Sequence, residues 1–191
     1  MGGQLYLAST SPRRRDLLRA AGLPFTLHPP GPEPAGEGAP RDLALQRARH
    51  KAVGAPAPER PGWILGVDTV VAHGSQEFGK PADRTEAIRM LMALRGREHE
   101  VYSGHVLVEA APADGAAPRM FEELTQATVW CREFGDQELE DYLATGDWAD
   151  KAGGYGIQGP AGAFMSLRQG VLDTVIGLHV AAVERLLEAG S

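Results

Sequence analysis

"WILGVDTVVAHG", residues 63–74, is the stretch on which the fold turns. Both of its alternating sets are apolar and valine is frequent, which reads as a strand buried on two faces, as in a sheet covered by helices on both sides. Asp68 stands in the middle of it. A buried carboxylate is costly unless it is paired, hydrogen-bonded or bound to metal. Two readings follow for Asp68: a hydrogen-bonded structural aspartate or one facing the surface at a strand bend, or a metal ligand or general base where the strand kinks. Lys80 in "QEFGKP" lies a hairpin away and can return an ammonium to the same place.

Outward from this strand, helices and strands alternate. Before it comes a helix with Leu43, Ala44, Ala48 and Ala52 on one face, preceded by the proline- and glycine-dense loop 29–40. The N-terminus reads as a strand (Gln4–Ala8), a helix capped by Ser11 with Pro12 at its first position and stopped near Gly22, and a strand in "LPFTLH". After it, Asp83 and Glu86 open a helix carrying Ile88, Leu91, Met92 and Leu94 that Gly96 stops. "HEVYSGHVLVEA" and "LTQATVWCREF" read as long strands. A helix at about 136–145, a glycine-rich segment, short strands at about 163–167 and 171–176, and a terminal helix at about 179–189 complete the chain. Crossovers mixed with hairpin-like pairs predict an α/β protein with a mixed sheet in one domain, 1–191.

The chain has 191 residues, 43% hydrophobic and 23% charged, with a net charge of −6, which argues against broad binding to nucleic acid. Cys131 is its one cysteine, so no intramolecular disulfide and no cysteine-based zinc site is expected, and its strand-like setting predicts a packed thiol. "MGGQLYLAS" lacks a basic region followed by a long apolar run, and Tyr6 stands where a myristoylation signal has Ser or Thr. No run approaches a membrane span, so a cytoplasmic protein is expected. Lysine occurs only at 51, 80 and 151 and asparagine is absent, the pattern of a high-GC genome in which lysine drifts to arginine. The lysines that remain are enriched for places needing a compact ammonium.

Three motifs carry chemistry or imitate it. Arg13, Arg14 and Arg15 fill the first turn of a helix, whose N-terminus already carries partial positive charge. Either this is a solvated basic turn offset by Asp16, or it is an anion site suited to a di- or triphosphate, with Arg15 facing solvent because neighbours on a helix point apart. Gly154 to Gly159 match G-x-G-x-x-G, but neither a strand before nor a helix after supports a dinucleotide fingerprint. A glycine turn against a ligand and a purely structural turn remain as alternatives. His99, His105 and His179 have no zinc spacing, and neither a G-x-S-x-G elbow nor a P-loop is present.

With "LASTSPRRRDLL", "GVDTVV", "GKP", "ALRGREHEVYSG" and "DKAGGYGIQG" in this order, the sequence resembles the Maf family of nucleoside triphosphate pyrophosphatases over almost its full length. The resemblance implies a fold similar to the inosine triphosphate pyrophosphatases, an elongated α/β structure with a long mixed sheet and a cleft between two lobes. It implies hydrolysis between the α- and β-phosphates with a divalent cation, Mg²⁺ or Mn²⁺, and a homodimer acting on a nucleotide, without nucleic acid or membrane. Matched by position, Ser9, Arg13, Arg14 and Lys80 bind phosphate, Asp68 is catalytic, and Glu33 with Asp68 holds the metal. Read without a gap, the family's helix lysine aligns with Arg47 and not with Lys51. "DKAGGYGIQG" resembles the branch acting on dTTP, UTP and modified pyrimidine triphosphates, with Arg13, Thr69 and Gln158 at the positions of base choice. The alternatives are a 7-methyl-GTP pyrophosphatase and a non-catalytic nucleotide-binding regulator of septum formation.

Overall fold

The computed structural model describes residues 3–32, 36–112 and 116–191. Its strands are β1 (Gln4–Ala8), β2 (Thr26–His28), β3 (Gly62–His73), β4 (Gln76–Phe78), β5 (Arg97–Ala110), β6 (Met120–Cys131) and β7 (Met165–Gln169). The helices are α1 (Pro12–Ala20), α2 (Pro40–Val53), α3 (Arg84–Leu94), α4 (Asp136–Ala144), α5 (Leu172–Ile176) and α6 (Val180–Gly190). Among the described residues the strands form one sheet in the order β2-β1-β3-β5-β6-β7, with β4 paired to the end of β3. β1 runs parallel to β2 and β3, whereas the β3–β5, β5–β6 and β6–β7 pairs are antiparallel, so the sheet is mixed as expected.

β3 is covered on both faces, as its composition required. Ile64 packs with Tyr6, Ala48, Ala52 and Val106 under α2, while Trp63, Leu65 and Val67 pack with Leu18, Leu178, Val183 and Leu186 under α1 and α6. By the same alternation Asp68 falls on the α2 face and Thr69 on the other. A third core beyond the end of β3 joins Val71, Phe78, Leu91, Val129, Leu143 and Phe164. The helix α2 sits low on the sheet because alanines (Ala44, Ala48, Ala52) face the glycines Gly66 and Gly104, and Gly104 is the β5 partner of Asp68.

Local signals hold in most places. The amide of Glu86 donates to Asp83 Oδ1 at 2.8 Å, and Glu86 reaches back to the amide of Ala82, one residue before the cap. Ser11 flanks α1 without a side-chain cap bond, and its own amide donates to Ser9 Oγ at 3.2 Å. The short strand expected at about 163–167 is β7, displaced by two residues and preceded by a 3₁₀ turn at 160–163, whereas 171–176, read as a strand, holds the short helix α5. Thr174 accounts for this correction: it is buried, its hydroxyl bonds Thr125 Oγ1 at 3.1 Å, and its carbonyl accepts from Ser103 Oγ at 2.9 Å. Those tertiary bonds outweigh a β propensity that context commonly overrides. Cys131 is buried and its thiol is pushed up to about 12 by burial, a packed and inert group as expected. Among the described residues no helix is long and apolar enough to cross a membrane.

His99 and His105 are wholly buried, and burial lowers both imidazoles to about 4. His105 accepts the amide of His179 on Nε2 at 2.9 Å, so protonation there would remove an acceptor at the start of α6. His99 meets Tyr155 Oη at 2.7 Å, and its Nδ1 has no partner among the described residues for a second proton. The unfolded chain takes up these protons at about pH 6.5 and the folded chain only near 4. The stabilisation is therefore complete above pH 6.5 and is lost as the pH falls toward 4. Urea melts should show stability dropping by up to about 3 kcal/mol per histidine between pH 7 and pH 4; a flat profile over that window would contradict neutral burial.

Candidate active site

The C-terminal half of β3, the β3–β4 hairpin, the start of α1, one face of α2 and the glycine-rich turn surround one cavity of about 1140 Å³. Asp68 on β3 is its central carboxylate, 8% exposed at the side chain, and it accepts a hydrogen bond from Lys51 Nζ on α2. This settles Asp68 as buried and paired. One turn earlier on α2, Arg47 makes a two-pronged ion pair with Glu77 of β4, with Nη2–Oε2 at 3.0 Å. The ammonium beside Asp68 is thus that of Lys51, while Arg47 belongs to the same cavity and faces another carboxylate.

The opening arginines divide into three roles. Arg14 is buried: its Nε donates to Gly177 O at 2.8 Å, Nη1 to Ser9 Oγ at 3.2 Å and Nη2 to Thr69 Oγ1 at 3.2 Å. It ties α1, β3 and the turn after α5 into one wall of the cavity. Thr69 Oγ1 also lies 2.9 Å from Ser103 Oγ and 3.3 Å from Gly177 O, so its hydroxyl is engaged by protein groups. Arg13 lines the cavity and reaches across it to Asp150 O at 3.4 Å. Asp150 adopts a left-handed backbone (φ 58°), tolerated by aspartate better than by most residues. Arg15 does not face solvent as expected. It is half-buried, and its Nε is sequestered without a hydrogen-bond partner among the described residues.

The glycine-rich turn borders the cavity. Gly153 and Gly154 have φ of +72°, which side chains rarely adopt, so the turn itself needs them. The same turn presents Tyr155 and Gln158 to the cavity. Lys80, exposed at the end of the hairpin, lines it too, and so does Lys151, paired with Asp147 Oδ1 at 3.0 Å. Ser9, Arg13, Arg14, Arg47, Asp68, Thr69, Lys80 and Gln158 are thereby brought together, whereas Glu33 lies outside the described residues. Glu77, Asp147 and the roles of Lys51 and Lys151 were not anticipated. The signal for the lysines was present, since all three lysines of the chain line this one cavity.

The profile of the Maf-like protein family matches residues 4–190. The chain belongs to the Maf family. A Maf relative named dTTP/UTP pyrophosphatase from Hydrogenovibrio crunogenus is 38% identical over 98% of this chain and 96% of its own. Another of that name, from Alcanivorax borkumensis, is 42% identical over 96% and 94%. A Mycobacterium abscessus structure titled nucleoside-triphosphatase / dITP/XTP pyrophosphatase is 14% identical, covers 98% of this chain and 94% of its own, and superposes with a TM-score of 0.40, too slight a likeness to bear on the chemistry.

Charges of both signs line the cavity. Among the described residues the ion pairs Lys51–Asp68, Arg47–Glu77 and Lys151–Asp147 line it, and Arg13 and Lys80 have no carboxylate partner. Donors held close to carboxylates in a partly dry cleft suit a ligand that carries both anionic oxygens and a bound cation.

Proposed function

We propose that the protein is a nucleoside triphosphate pyrophosphatase of the cytoplasmic nucleotide pool, converting dTTP and UTP to the monophosphate and pyrophosphate. The observation that carries this is the convergence of Asp68 with Arg13, Lys51 and Lys80 on one cavity. The near full-length similarity to relatives named dTTP/UTP pyrophosphatases supports the choice of substrate.

In this reading water attacks the α-phosphorus in line with the bond to the bridging oxygen, and pyrophosphate leaves with the electrons of that bond. Asp68 orients the water and takes its proton, while the hydrogen bond from the Lys51 ammonium fixes the direction of the carboxylate. Arg13 and Lys80 hold the β- and γ-phosphates. Arg14, spent on three protein acceptors, shapes that wall and adds positive charge. Gln158 offers a donor and an acceptor to a uracil or thymine edge.

A divalent cation, Mg²⁺ or Mn²⁺, belongs to the proposal. Among the described residues no group of three His, Cys, Asp or Glu side chains makes a protein cage. Mg²⁺ ordinarily takes one or two carboxylates and completes its shell with phosphates and water. Asp68 fits that demand: one oxygen meets Lys51 and the other accepts no hydrogen bond among the described residues. The ion would supply charge neutralisation of the phosphates.

The test is pyrophosphate release across dTTP, UTP, CTP, GTP and 7-methyl-GTP, with Mg²⁺ or Mn²⁺ and without either. Release from dTTP and UTP, at least tenfold above CTP, is expected from the similarity to relatives named dTTP/UTP pyrophosphatases. Saturable binding without release would make the protein a nucleotide sensor. A preference for 7-methyl-GTP would overturn the choice of base.

A further inference from the structure

Arg47 and Lys51, four residues apart on α2, share a helix face, and each meets a carboxylate from the β3–β4 hairpin. The Arg47–Glu77 pair is fork on fork, with side chains 17% and 27% exposed, and both residues line the cavity. Glu77 stands three residues before Lys80 on the same arm of the hairpin, within the basic cluster that a phosphate chain would occupy.

We propose that Glu77 is an internal competitor for the phosphate chain: it holds the Arg47 guanidinium in the ligand-free protein, and a polyphosphate takes that guanidinium by displacing the carboxylate. This rests on the reading of the cavity as a triphosphate site. A guanidinium binds a carboxylate and a phosphate through the same two parallel N–H···O bonds, so one anion replaces the other without new donor geometry. Both side chains remain partly exposed, so a ligand can reach the pair, and a triphosphate brings more charge than one carboxylate. Glu77 therefore sets the affinity of the phosphate end of the site. It is a positioning residue acting through Arg47, with no contact to the reacting atoms.

The decisive measurement is calorimetric titration of inorganic tripolyphosphate, which has no base, into the full chain and its Glu77→Gln variant, beside steady-state kinetics with dTTP. Glu77→Gln should bind tripolyphosphate about fivefold more tightly, with KM falling by a similar factor and kcat moving less. Adding Arg47→Gln should erase the gain. Glu77→Asp, which keeps the charge but shortens the fork, should fall between wild type and Glu77→Gln and serves if Glu77→Gln does not fold. Unchanged or weaker binding in Glu77→Gln would show that Glu77 braces Arg47 for phosphate, and overturns the proposal. So does a gain that survives the loss of Arg47, or no binding to either protein. A gain in a protein that releases pyrophosphate from no triphosphate upholds the competitor and overturns the pyrophosphatase reading.

Discussion

Asp68→Asn is expected to lower pyrophosphate release by roughly 10²–10⁴-fold, the range lost when a positioned general base is removed. Asparagine keeps the shape of the side chain and can still accept a hydrogen bond from Lys51, but it can neither take a proton nor hold a cation as a carboxylate does. The loss should fall on kcat. Affinity for the triphosphate without a divalent cation should be unchanged or higher, because a negative charge has left a cavity that receives a polyanion. Lys51 is only 13% exposed and loses an ionic partner, so some stability goes with the charge. Far-ultraviolet circular dichroism and a melt establish that the fold persists, and single-turnover kinetics separate chemistry from binding. A folded variant with near-normal release would remove Asp68 from the reaction.

A second large effect is expected far from any charge. A Cβ at Gly66 would lie 2.2 Å from the carbonyl oxygen of Ala48, and one at Gly104 would lie 2.4 Å from that of Ala44. Both are main-chain atoms of α2, so no rotamer change relieves the clash and the helix must lift from the sheet. Gly66→Ala should cost about 3 kcal/mol, the upper part of the usual overpacking range, and lower Tm by roughly 6–12 °C in a chain of this size. Lifting α2 also withdraws Lys51 from Asp68, so turnover should fall well below what the lost stability accounts for at a temperature where the variant is folded. Gly135→Ala, with nothing within 4 Å, is the control: it changes only the N-cap of α4 and should cost about 1 kcal/mol or less. Equal behaviour of the two variants would refute the close approach of α2.

The element order was legible because its signals are local. The doubly apolar run of β3 required helices on both faces, and Asp83 with Glu86 marked the start of α3. α5 was misread because its β-branched residues carry a strand preference that the buried bonds of Thr174 override. The candidate site was legible where chemistry is unusual for its setting: a carboxylate inside an apolar strand, arginines at a helix N-terminus, lysines scarce in an arginine-rich chain. Glu77 and Asp147 gave no such signal, since an acidic residue in a surface hairpin or after a helix is ordinary until its neighbour across the cavity is known.

From the sequence alone, then, came the α/β class, the mixed sheet and the residues that bear charge in unexpected places, because propensity, periodicity and local charge act over a few neighbours. Only the tertiary structure decided which cation meets which carboxylate. Arg47 and Lys51 are equivalent by helical spacing, and what separates them is where α2 crosses the sheet, fixed by Gly66 and Gly104 seating its backbone directly against β3 and β5.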